Sequence, residues 1–364
     1  MMKVSFPYMG TTVVYKKLLE LLGHEVIMPP KPSQETINLG VKYSPEFACF
    51  PLKVIMGSYM QAMDKGAEVI ITSGGHGPCR AGFYEKVHSR ILEEEDYEAE
   101  FIVFDSLFKN YRNFFANVIK VKGDSSWYRV GKSLLFVYMM IRKLDTLEKE
   151  SQKIRAYEVV SGETTRTWEQ IQDIFDKAYT WKELNAAFKK GKKLLNGIEQ
   201  ISIAEDRKIR IGIVGEIYVV MEPSINMNLE ELLGSLGAEV ERSQYLTQWV
   251  NYNALPKFMN FTHETKILKK GEKYLPIEIG GHAKQNVGHI VDYSERGFDG
   301  VIHLMPFGCL PELVSQSIVP KITADVGIPV LTISLDEHSG TANNITRIEA
   351  FMDLVRGRRK QKIS

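Results

Sequence analysis

The start of the chain alternates between short apolar runs and a segment with helical spacing. Residues 4–7 form an apolar run, a Gly-Thr-Thr turn follows, and residues 25–28 begin a second run. Between the two runs, the apolar positions fall on one helix face, at Val14, Leu18, Leu21 and Leu22. A Gly-His pair ends this helix, so the order is strand, loop, helix and strand, which predicts a βαβ unit.

The same pattern recurs in the second half of the chain. Residues 211–215 predict a strand, and a helix face follows at Leu229, Leu232, Leu233 and Leu236. The letters LGAEV at residues 236–240 mirror LGHEV at residues 22–26, and RGFDGVI at residues 296–302 mirrors KGAEVII at residues 65–71. We therefore predict an α/β fold in which two Rossmann-like or flavodoxin-like halves each contain a parallel sheet.

A helical segment separates the two halves. Apolar residues from Trp127 to Leu147 have helical spacing, as do those from Trp168 to Ala178 and those that start at Leu184. This segment is either a cap over a crevice or a helical layer that completes one half. The chain is thus predicted to consist of a first α/β half, a helical insertion or cap, and a second α/β half that ends in a helix, over residues 1–105, 106–205 and 206–364.

Composition and charge narrow the class of protein. The chain has 364 residues, 44% hydrophobic and 25% charged, and its 46 basic and 45 acidic side chains leave a net charge of +1. No basic field favours nucleic acid, and the longest apolar run, residues 134–141, is too short to span a bilayer. Three cysteines make no disulfide framework, and no signal sequence precedes the first strand. We expect a cytoplasmic protein with no nucleic-acid or membrane partner, and a homodimer as its default assembly.

The three cysteines share an unusual local setting. Cys49 lies in FACFPLK, Cys79 in SGGHGPCR and Cys309 in MPFGCLPE, so each has a proline within two residues. Cys79 follows Gly66 by 13 residues, and Cys309 follows Gly297 by 12. The two cysteines therefore occupy equivalent places, after a buried strand and before a helix, at the carboxyl edge of the two predicted sheets.

The remaining cysteine, Cys49, is predicted to start the helix that leads to Gly66, with apolar positions at Leu52, Ile55, Met56, Tyr59 and Met63. In the second half, the matching helix follows the letters GGH at residues 280–282, about where a counterpart of Cys49 would fall. Internal repeats that face one another would bring cysteines from distant parts of the chain into one crevice.

Thiolates at helix starts are suited to metal binding. Backbone N–H groups and the positive end of the helix dipole lower the pKa of a thiol there. Three thiolates from separate loops suit an iron–sulfur cluster with one open iron, or a zinc ion whose fourth ligand is His76 or His282. The sequence has no close CxxC pair of the kind that structural zinc sites usually contain, so an iron–sulfur cluster is favoured.

Charged side chains near the cysteine loops are candidates for proton transfer or substrate anchoring. Glu46 lies three residues before the first cysteine, Arg80 directly follows the second, and Glu312 lies three residues after the third. Glu216 follows the first strand of the second half, and His282 precedes a helix there. Each is also explained as a first-turn helix charge or a surface residue. Their concentration at one sheet edge predicts Glu46, Arg80, Glu216 and His282 as catalytic residues.

Three segments around the cysteines carry a resemblance to a known family. They are residues 46–53 (EFACFPLK), residues 77–84 (GPCRAGFY) and residues 306–312 (PFGCLPE). These segments resemble the 2-hydroxyacyl-CoA dehydratase component superfamily, and above all its stand-alone branch related to acyl-CoA dehydratase activases. The resemblance extends over nearly all of the chain outside the insertion, through shorter matching segments at residues 215–218, 279–282, 336–340 and 346–351.

The resemblance implies a definite chemistry. Family members bind one 4Fe–4S cluster per subunit through three cysteines, which here would be Cys49, Cys79 and Cys309. A separate ATP-hydrolysing iron–sulfur activator injects one low-potential electron, and in the dehydratases a 2-hydroxyacyl thioester then loses its hydroxyl group. True dehydratases pair two different cluster subunits, and relatives with a double-cubane cluster use more than three cysteines, so that larger cluster is not expected here.

The sequence therefore leaves three candidate functions. The first is an enzyme, either a 2-hydroxyacyl-CoA dehydratase-like lyase or an ATP-dependent reductase component, that dehydrates or reduces a small substrate such as an acyl-CoA thioester. The second is a non-catalytic electron carrier, or a regulatory partner of an activator. The third is a zinc protein with three cysteine ligands and one histidine ligand.

Overall fold

The chain forms two compact units. The computed structural model describes residues 1–74, 79–104, 111–254, 263–338 and 340–363. The first unit comprises Met1–Ile141 with Ile279–Gly281, and the second comprises Arg142–Glu278 with His282–Ser364. Each unit contains a sheet of four parallel strands, which confirms the predicted α/β fold with two parallel-sheet halves.

The two sheets have the same strand order. In the first unit the strands are Lys3–Ser5 (β1), Glu25–Val26 (β2), Val69–Ser73 (β3) and Glu100–Phe104 (β4), in the order β2-β1-β3-β4. In the second unit they are Ile209–Gly215 (β5), Ala238–Arg242 (β6), Gly300–Pro306 (β7) and Val330–Leu335 (β8), in the order β6-β5-β7-β8. All seven residues of β7 are buried, as expected for a parallel strand that is covered on both faces.

The helices follow the predicted periodicity. Those of the first α/β half are Val13–Leu22 (α1), Gln34–Tyr43 (α2), Phe50–Asp64 (α3), Tyr84–Glu94 (α4) and Tyr111–Lys122 (α5). Three helices then lie between β4 and β5 in addition to α5, namely Trp127–Ile154 (α6), Glu163–Asp176 (α7) and Trp181–Asn196 (α8). The second half contains Ile217–Met221 (α9), Leu229–Ser235 (α10), Leu246–Ala254 (α11), His263–Glu272 (α12), Ala283–Glu295 (α13), Leu310–Val326 (α14) and Thr341–Ile363 (α15). The helical character of the segment between the halves is thus confirmed, whereas its exact division from them stays a prediction.

Each unit has its own apolar core against its sheet. In the first unit, β1 and β3 pack through Val4 and Val69 against Leu19 and Leu22 of α1. In the second unit, Val214 of β5 and Val301 of β7 pack against α13 and α14, through a cluster that also contains Val287, Ile290, Tyr293, Val319 and Ile322. Each sheet is therefore held by its own layer of helices.

A pair of helices crosses closely in both units, and glycines make this possible. A Cβ atom at Gly57 of α3 would lie 2.0 Å from the carbonyl oxygen of Thr36 in α2, and one at Gly288 of α13 would lie 2.1 Å from that of Ile267 in α12. The partner glycines, Gly40 of α2 and Gly271 of α12, are equally crowded. Because a side chain cannot fit at these positions, the glycines fix how each pair of helices packs.

The paired glycines also align the two repeats. Gly40 and Gly271 are 231 positions apart, as are Gly57 and Gly288, and Gly66 and Gly297. At this spacing the position equivalent to Cys49 is Gly280, two residues before His282, the residue that caps α13. The second repeat therefore has a glycine at the position where the first repeat has its helix-starting cysteine.

No helix in the described part of the chain is both long and apolar enough to cross a membrane.

Candidate functional site

Each cysteine lies at the start of a helix, as predicted. Cys49 is the N-cap residue of α3, Cys309 is the N-cap residue of α14, and Cys79 precedes the short 3-10 helix Arg80–Phe83 that leads into α4. A proline within the first turn of both α3 and α14 favours helix initiation there. Among these three caps, no sulfur makes a hydrogen bond to the backbone of its own helix.

The loops of Cys49 and Cys79 are tied together in the first unit. The hydroxyl of Tyr84, five residues after Cys79, lies 2.8 Å from Sγ of Cys49. Arg80 donates from Nη1 to the carbonyl oxygen of Phe47, two residues before Cys49. Two contacts thus hold the loop of one cysteine against the loop of the other.

A buried histidine, His88, contacts both Tyr84 and the helix that Cys49 begins. His88 of α4 packs its ring against Tyr84, with ring centroids 5.6 Å apart, and its Nε2 lies 3.0 Å from the carbonyl oxygen of Leu52 in α3. Burial lowers the pKa of His88 to about 4, so the imidazole is neutral near neutral pH. A neutral imidazole can donate its Nε2 hydrogen to Leu52, which fixes the start of α3 against α4.

In the second unit, polar groups gather at the carboxyl end of β5. Gly215 ends this strand with φ +151°, and a Cβ atom there would lie 2.2 Å from the carbonyl oxygen of Leu304 in β7. Its backbone N–H donates to Oδ1 of Asn286, and its carbonyl oxygen accepts from Nδ2 of Asn286 and from Nε2 of Gln244. A glycine is required here because the backbone approaches β7 so closely.

Asn286 also contacts the buried carboxylate of Glu312, in the first turn of α14. Its Nδ2 lies 2.9 Å from both oxygens of Glu312, a residue with no solvent exposure. Nε2 of His303, in the middle of β7, lies 2.7 Å from Oε2 of Glu312, and Nδ1 of the same ring lies 3.2 Å from the hydroxyl of Thr332 in β8. A chain of hydrogen bonds therefore runs from β8 through β7, the first turn of α14 and α13 to the end of β5.

Glu216 stands directly after Gly215 and caps α9. Its Oε2 accepts hydrogen bonds from the backbone N–H groups of Tyr218 and Val219. Burial raises the pKa of Glu216 to about 7; the two N–H donors oppose this rise, and the charge of Glu312 adds to it. A carboxyl group with such a pKa can both give and take a proton near neutral pH.

His282, the N-cap residue of α13, belongs to the same neighbourhood. Burial lowers its pKa, while the charge of Glu312 acts in the opposite direction. Glu312 therefore influences both Glu216 and His282, and the three side chains form one electrostatic group in the second unit.

One family comparison bears on this arrangement. Residues 2–72 match the family model described as a CoA enzyme activase uncharacterised domain (DUF2229). The match runs from β1 into β3 and contains Cys49, and it ends before Cys79. It agrees with a relationship to the superfamily of activases and dehydratases without distinguishing its branches. No curated protein matches the chain.

Two of the four predicted catalytic residues belong to each unit. Glu216 and His282 lie near Glu312 in the second unit, as described above. In the first unit, Arg80 is exposed and directs its guanidinium to a backbone carbonyl, and Glu46 is exposed on the loop before Cys49. His76, an expected alternative ligand for zinc, lies outside the described residues. The catalytic roles of all four stay predictions.

Sequence reasoning missed several members of the polar group, above all Asn286 and His303. A signal for His303 was present, because a single histidine in the otherwise apolar strand GVIHLMP needs a buried hydrogen-bond partner. Asn286 gave no comparable signal, since an asparagine in a helix is ordinarily exposed. Tyr84 was visible only as one letter of a longer motif.

Large apolar side chains are exposed beside the cysteines. Phe47 is 79% exposed and Phe83 is 66% exposed in the first unit, and Phe307 is 52% exposed in the second. Each lies within four residues of a cysteine. Apolar groups around a thiolate site restrict the access of water and thereby influence the redox potential of any metal bound there.

Proposed function

We propose that the chain is an iron–sulfur protein that binds one 4Fe–4S cluster through Cys49, Cys79 and Cys309. The observation that carries this proposal is the placement of all three thiols at helix starts. Contacts from Tyr84 and Arg80 to the loop of Cys49 support a shared centre for the first two cysteines. Cys309 is included because it follows β7 as Cys79 follows β3 in the equivalent repeat.

The thiolate donor set fits such a group. Cysteine sulfurs are the usual ligands of iron–sulfur clusters, which supply one-electron redox chemistry at low potential when bound. The buried setting of Cys49 and Cys309, with exposures of 5% and 6%, suits a cofactor that must be shielded from water. Three cysteines, in turn, leave room for a non-protein ligand on the fourth iron.

Glu216, His282 and Glu312 of the second unit would serve the reaction by transferring protons. Glu216, with a pKa of about 7, is the group that can protonate a departing hydroxyl or a reduced substrate. Asn286 and His303 hold Glu312 in place by hydrogen bonds. The charge of Glu312 adds to the effect of burial on the pKa of Glu216 and opposes it at His282. Their role is one of positioning and of pKa control.

The substrate and the electron donor are proposed from the family comparison. The matched domain is described as belonging to CoA enzyme activases. We therefore propose an ATP-dependent iron–sulfur activator as the electron donor and a small molecule, such as a 2-hydroxyacyl-CoA thioester, as the substrate. The reaction would be its dehydration or reduction.

The test is the iron and acid-labile sulfide content of strictly anaerobic protein, measured for the natural chain and for Cys49→Ala, Cys79→Ala and Cys309→Ala. We expect about four irons and four sulfides per chain, the content of a 4Fe–4S cluster, with a large loss in each variant. Ser44→Ala is the matched control, because it removes a buried hydroxyl that has no partner among the described residues.

Other outcomes would contradict the proposal. Zinc without iron or sulfide would establish the zinc protein with three cysteine ligands, and His282→Ala would then show whether that histidine is the fourth ligand. Iron that is lost in only one or two of the cysteine variants would remove the remaining cysteine from the ligand set.

An electron carrier is the second candidate. It is favoured by the exposure of Glu46 and by the use of Arg80 on a backbone carbonyl, because neither residue then has an evident catalytic task. In that case the cluster would be reduced by the activator and ATP, yet no acyl-CoA would be consumed. Cluster reduction and acyl-CoA consumption, followed in the same anaerobic reaction, separate the two candidates.

A further inference from the structure

A second group of metal-ligating side chains lies in the second unit and contains no cysteine. His263, His289 and Asp292 each bring one ligand atom within 4.8 Å of the others. We infer that these three residues form a binding site for a divalent transition-metal ion, with Zn²⁺ as the representative occupant. The site is independent of the proposed cluster and of its three thiols.

The secondary structure explains how the three residues meet. His289 and Asp292 are three positions apart on α13, so they project from one face of that helix. His263 is the first residue of α12, which crosses α13 closely at the pair of glycines described above. The ring centroids of the two histidines are 5.9 Å apart and their planes are steeply inclined, so both rings can direct a nitrogen to one point.

The separation of the ligand atoms is close to that of a bound state. Zinc bonds of about 2.1 Å place tetrahedral ligand atoms about 3.4 Å apart. The observed limit of 4.8 Å therefore requires only a small closure. His263 is exposed at the start of its helix and can rotate to provide it, whereas His289 and Asp292 are buried and stay in place.

A second, independent observation is that Nδ1 of His289 lacks a hydrogen-bond partner among the described residues. This side chain is 3% exposed, and its Nδ1 has no hydrogen-bond partner among the described residues. A buried polar atom without a partner costs about 1–3 kcal/mol, so native structures usually provide one. A metal ion, bound directly to the ring or through an ordered water, would give this imidazole the interactions that it lacks.

The balance of charged side chains around Asp292 favours the binding of a cation. Asp292 is contacted by Lys270 and Arg296, which would by themselves oppose metal binding. Lys270, however, also pairs with Glu295 at 2.7 Å, and Arg296 also pairs with Glu241 at 2.6 Å. Three carboxylates thus face two cations, which leaves one negative charge in excess at the site.

A small cavity adjoins one of the three residues, His289. It has a volume of about 40 Å³, and its lining includes His289, Glu264, Gln248 and Tyr252. A cavity needs about 10–15 Å³ to hold one water molecule, so this one can hold water beside His289. His263 and Asp292 are not among its lining residues. Two imidazoles, one carboxylate and water are a ligand set of first-row divalent metals such as Zn²⁺ and Fe²⁺.

The probe for this site is Co²⁺, whose visible spectrum reports its ligands, with Zn²⁺ as the competitor. Metal-stripped full-length protein is titrated anaerobically, and His263→Ala is compared with His338→Ala. His338 is an exposed histidine elsewhere in the same unit, which makes it the matched control, and His263 is exposed enough that its loss should not disturb folding. Absorption from thiolate-to-cobalt charge transfer in the near ultraviolet separately reports binding to cysteines.

We expect one Co²⁺ bound with visible bands of nitrogen and oxygen coordination, displaced by Zn²⁺ and independent of any thiolate band. Affinity should fall by about 100-fold or more in His263→Ala, since even losing a group that only orients a ligand costs about 10–100-fold. Affinity should be unchanged in His338→Ala. Absence of the nitrogen and oxygen bands, thiolate bands alone, or equal affinity in both variants would each overturn the assignment.

Discussion

The side-chain amide nitrogen of Asn286 lies 2.9 Å from both carboxylate oxygens of Glu312, while its carbonyl oxygen accepts the N–H of Gly215. One asparagine thus joins the end of β5 to the first turn of α14, on which Cys309 is the cap. All of these groups are buried, so each hydrogen bond is protected from water. The position of the third cysteine loop and the environment of Glu216 therefore depend on the same polar connection.

Neutralising Glu312 should lower the pKa values of two other residues, Glu216 and His282. The charge of Glu312 raises the pKa of both Glu216 and His282, so Glu312→Gln should lower the pKa of Glu216 from about 7 and lower that of His282 further. Carbon-13 NMR of labelled glutamate and histidine side chains would measure both. The exposed Glu349→Gln is the control, and an unchanged pKa of Glu216 in Glu312→Gln would show that the two carboxylates are not coupled.

Glu216 should make stability fall as the pH rises. Its pKa is about 7 in the folded chain and 4.5 as its ordinary value, so between these pH values the folded state binds the proton more tightly. This contribution is present at low pH and is lost as the pH rises from about 4.5 through about 7. The full difference between the two pKa values corresponds to about 3 kcal/mol, and partial exposure of Glu216 reduces the expected change to about 1–2 kcal/mol.

The measurement is the free energy of unfolding of Glu216→Gln relative to the natural protein, by chemical denaturation at roughly pH 4 and roughly pH 8, one below and one above that interval. The relative stability of the variant should increase between the two pH values. Glu46→Gln, on an exposed loop, controls for the loss of a carboxylate as such. A relative stability that is the same at both pH values would disprove the proposed titration.

The same variant distinguishes an enzyme from an electron carrier. If Glu216 transfers a proton, Glu216→Gln should retain iron and sulfide but lose about 10²–10⁴-fold in the turnover of an acyl-CoA substrate. The assay is activator-dependent and ATP-dependent substrate consumption. Retained cluster with unchanged turnover would remove Glu216 from the catalytic group.

Arg242 should be among the most sensitive positions for stability in the second unit. It is 3% exposed and pairs with Glu148 and Glu230. Without it Glu148 would lose this buried ion pair, and Glu230 would keep only its longer pair with Arg155. Burial already raises the pKa of Glu148 to about 7 against the opposing charge of Arg242, so Arg242→Met should raise that pKa further. We expect a loss of about 3–5 kcal/mol in the free energy of unfolding.

Arg90→Met is the contrasting variant for this prediction. Arg90 is exposed and pairs with Glu94 at 2.8 Å on the surface of α4. Removing such a pair should change the free energy of unfolding by about 0.5 kcal/mol or less. Chemical denaturation compares the two variants, and similar losses for both would refute the distinction between the buried and the exposed pair.

The glycine crossings predict a third contrast in stability. Gly57→Ala and Gly288→Ala place a Cβ atom 2.0 Å and 2.1 Å from a backbone oxygen of the partner helix, so the helices must move apart. We expect each to lose about 2–4 kcal/mol. Gly131→Ala in α6 is the control, because nothing lies within 4 Å of its Cβ atom, and it should gain up to about 1 kcal/mol. Thermal unfolding midpoints would show the opposite signs.

Local patterns were enough to predict the architecture. Apolar periodicity and Gly-containing stops identified the strands and helices of both halves, and the repeated letters around Gly66 and Gly297 identified the internal repeat. Cys49 and Cys309 were correctly expected at helix starts because a following proline favours the first turn of a helix. These features depend on residues only a few positions apart, which interact in any fold of the chain.

Contacts between distant residues were decided by the tertiary structure alone. Asn286 and Glu312 are 26 positions apart, and Gly215 and Asn286 are 71 apart, so their hydrogen bonds exist only once β5, α13 and α14 have packed. Packing within the first unit likewise leaves Glu46 exposed and directs Arg80 to the carbonyl of Phe47. The packing of α12 on α13 brings His263 to His289. The sequence by itself determined the elements and the positions of the thiols along them. Packing determined which polar groups are buried together, because burial and hydrogen bonding over long separations are properties of the assembled core.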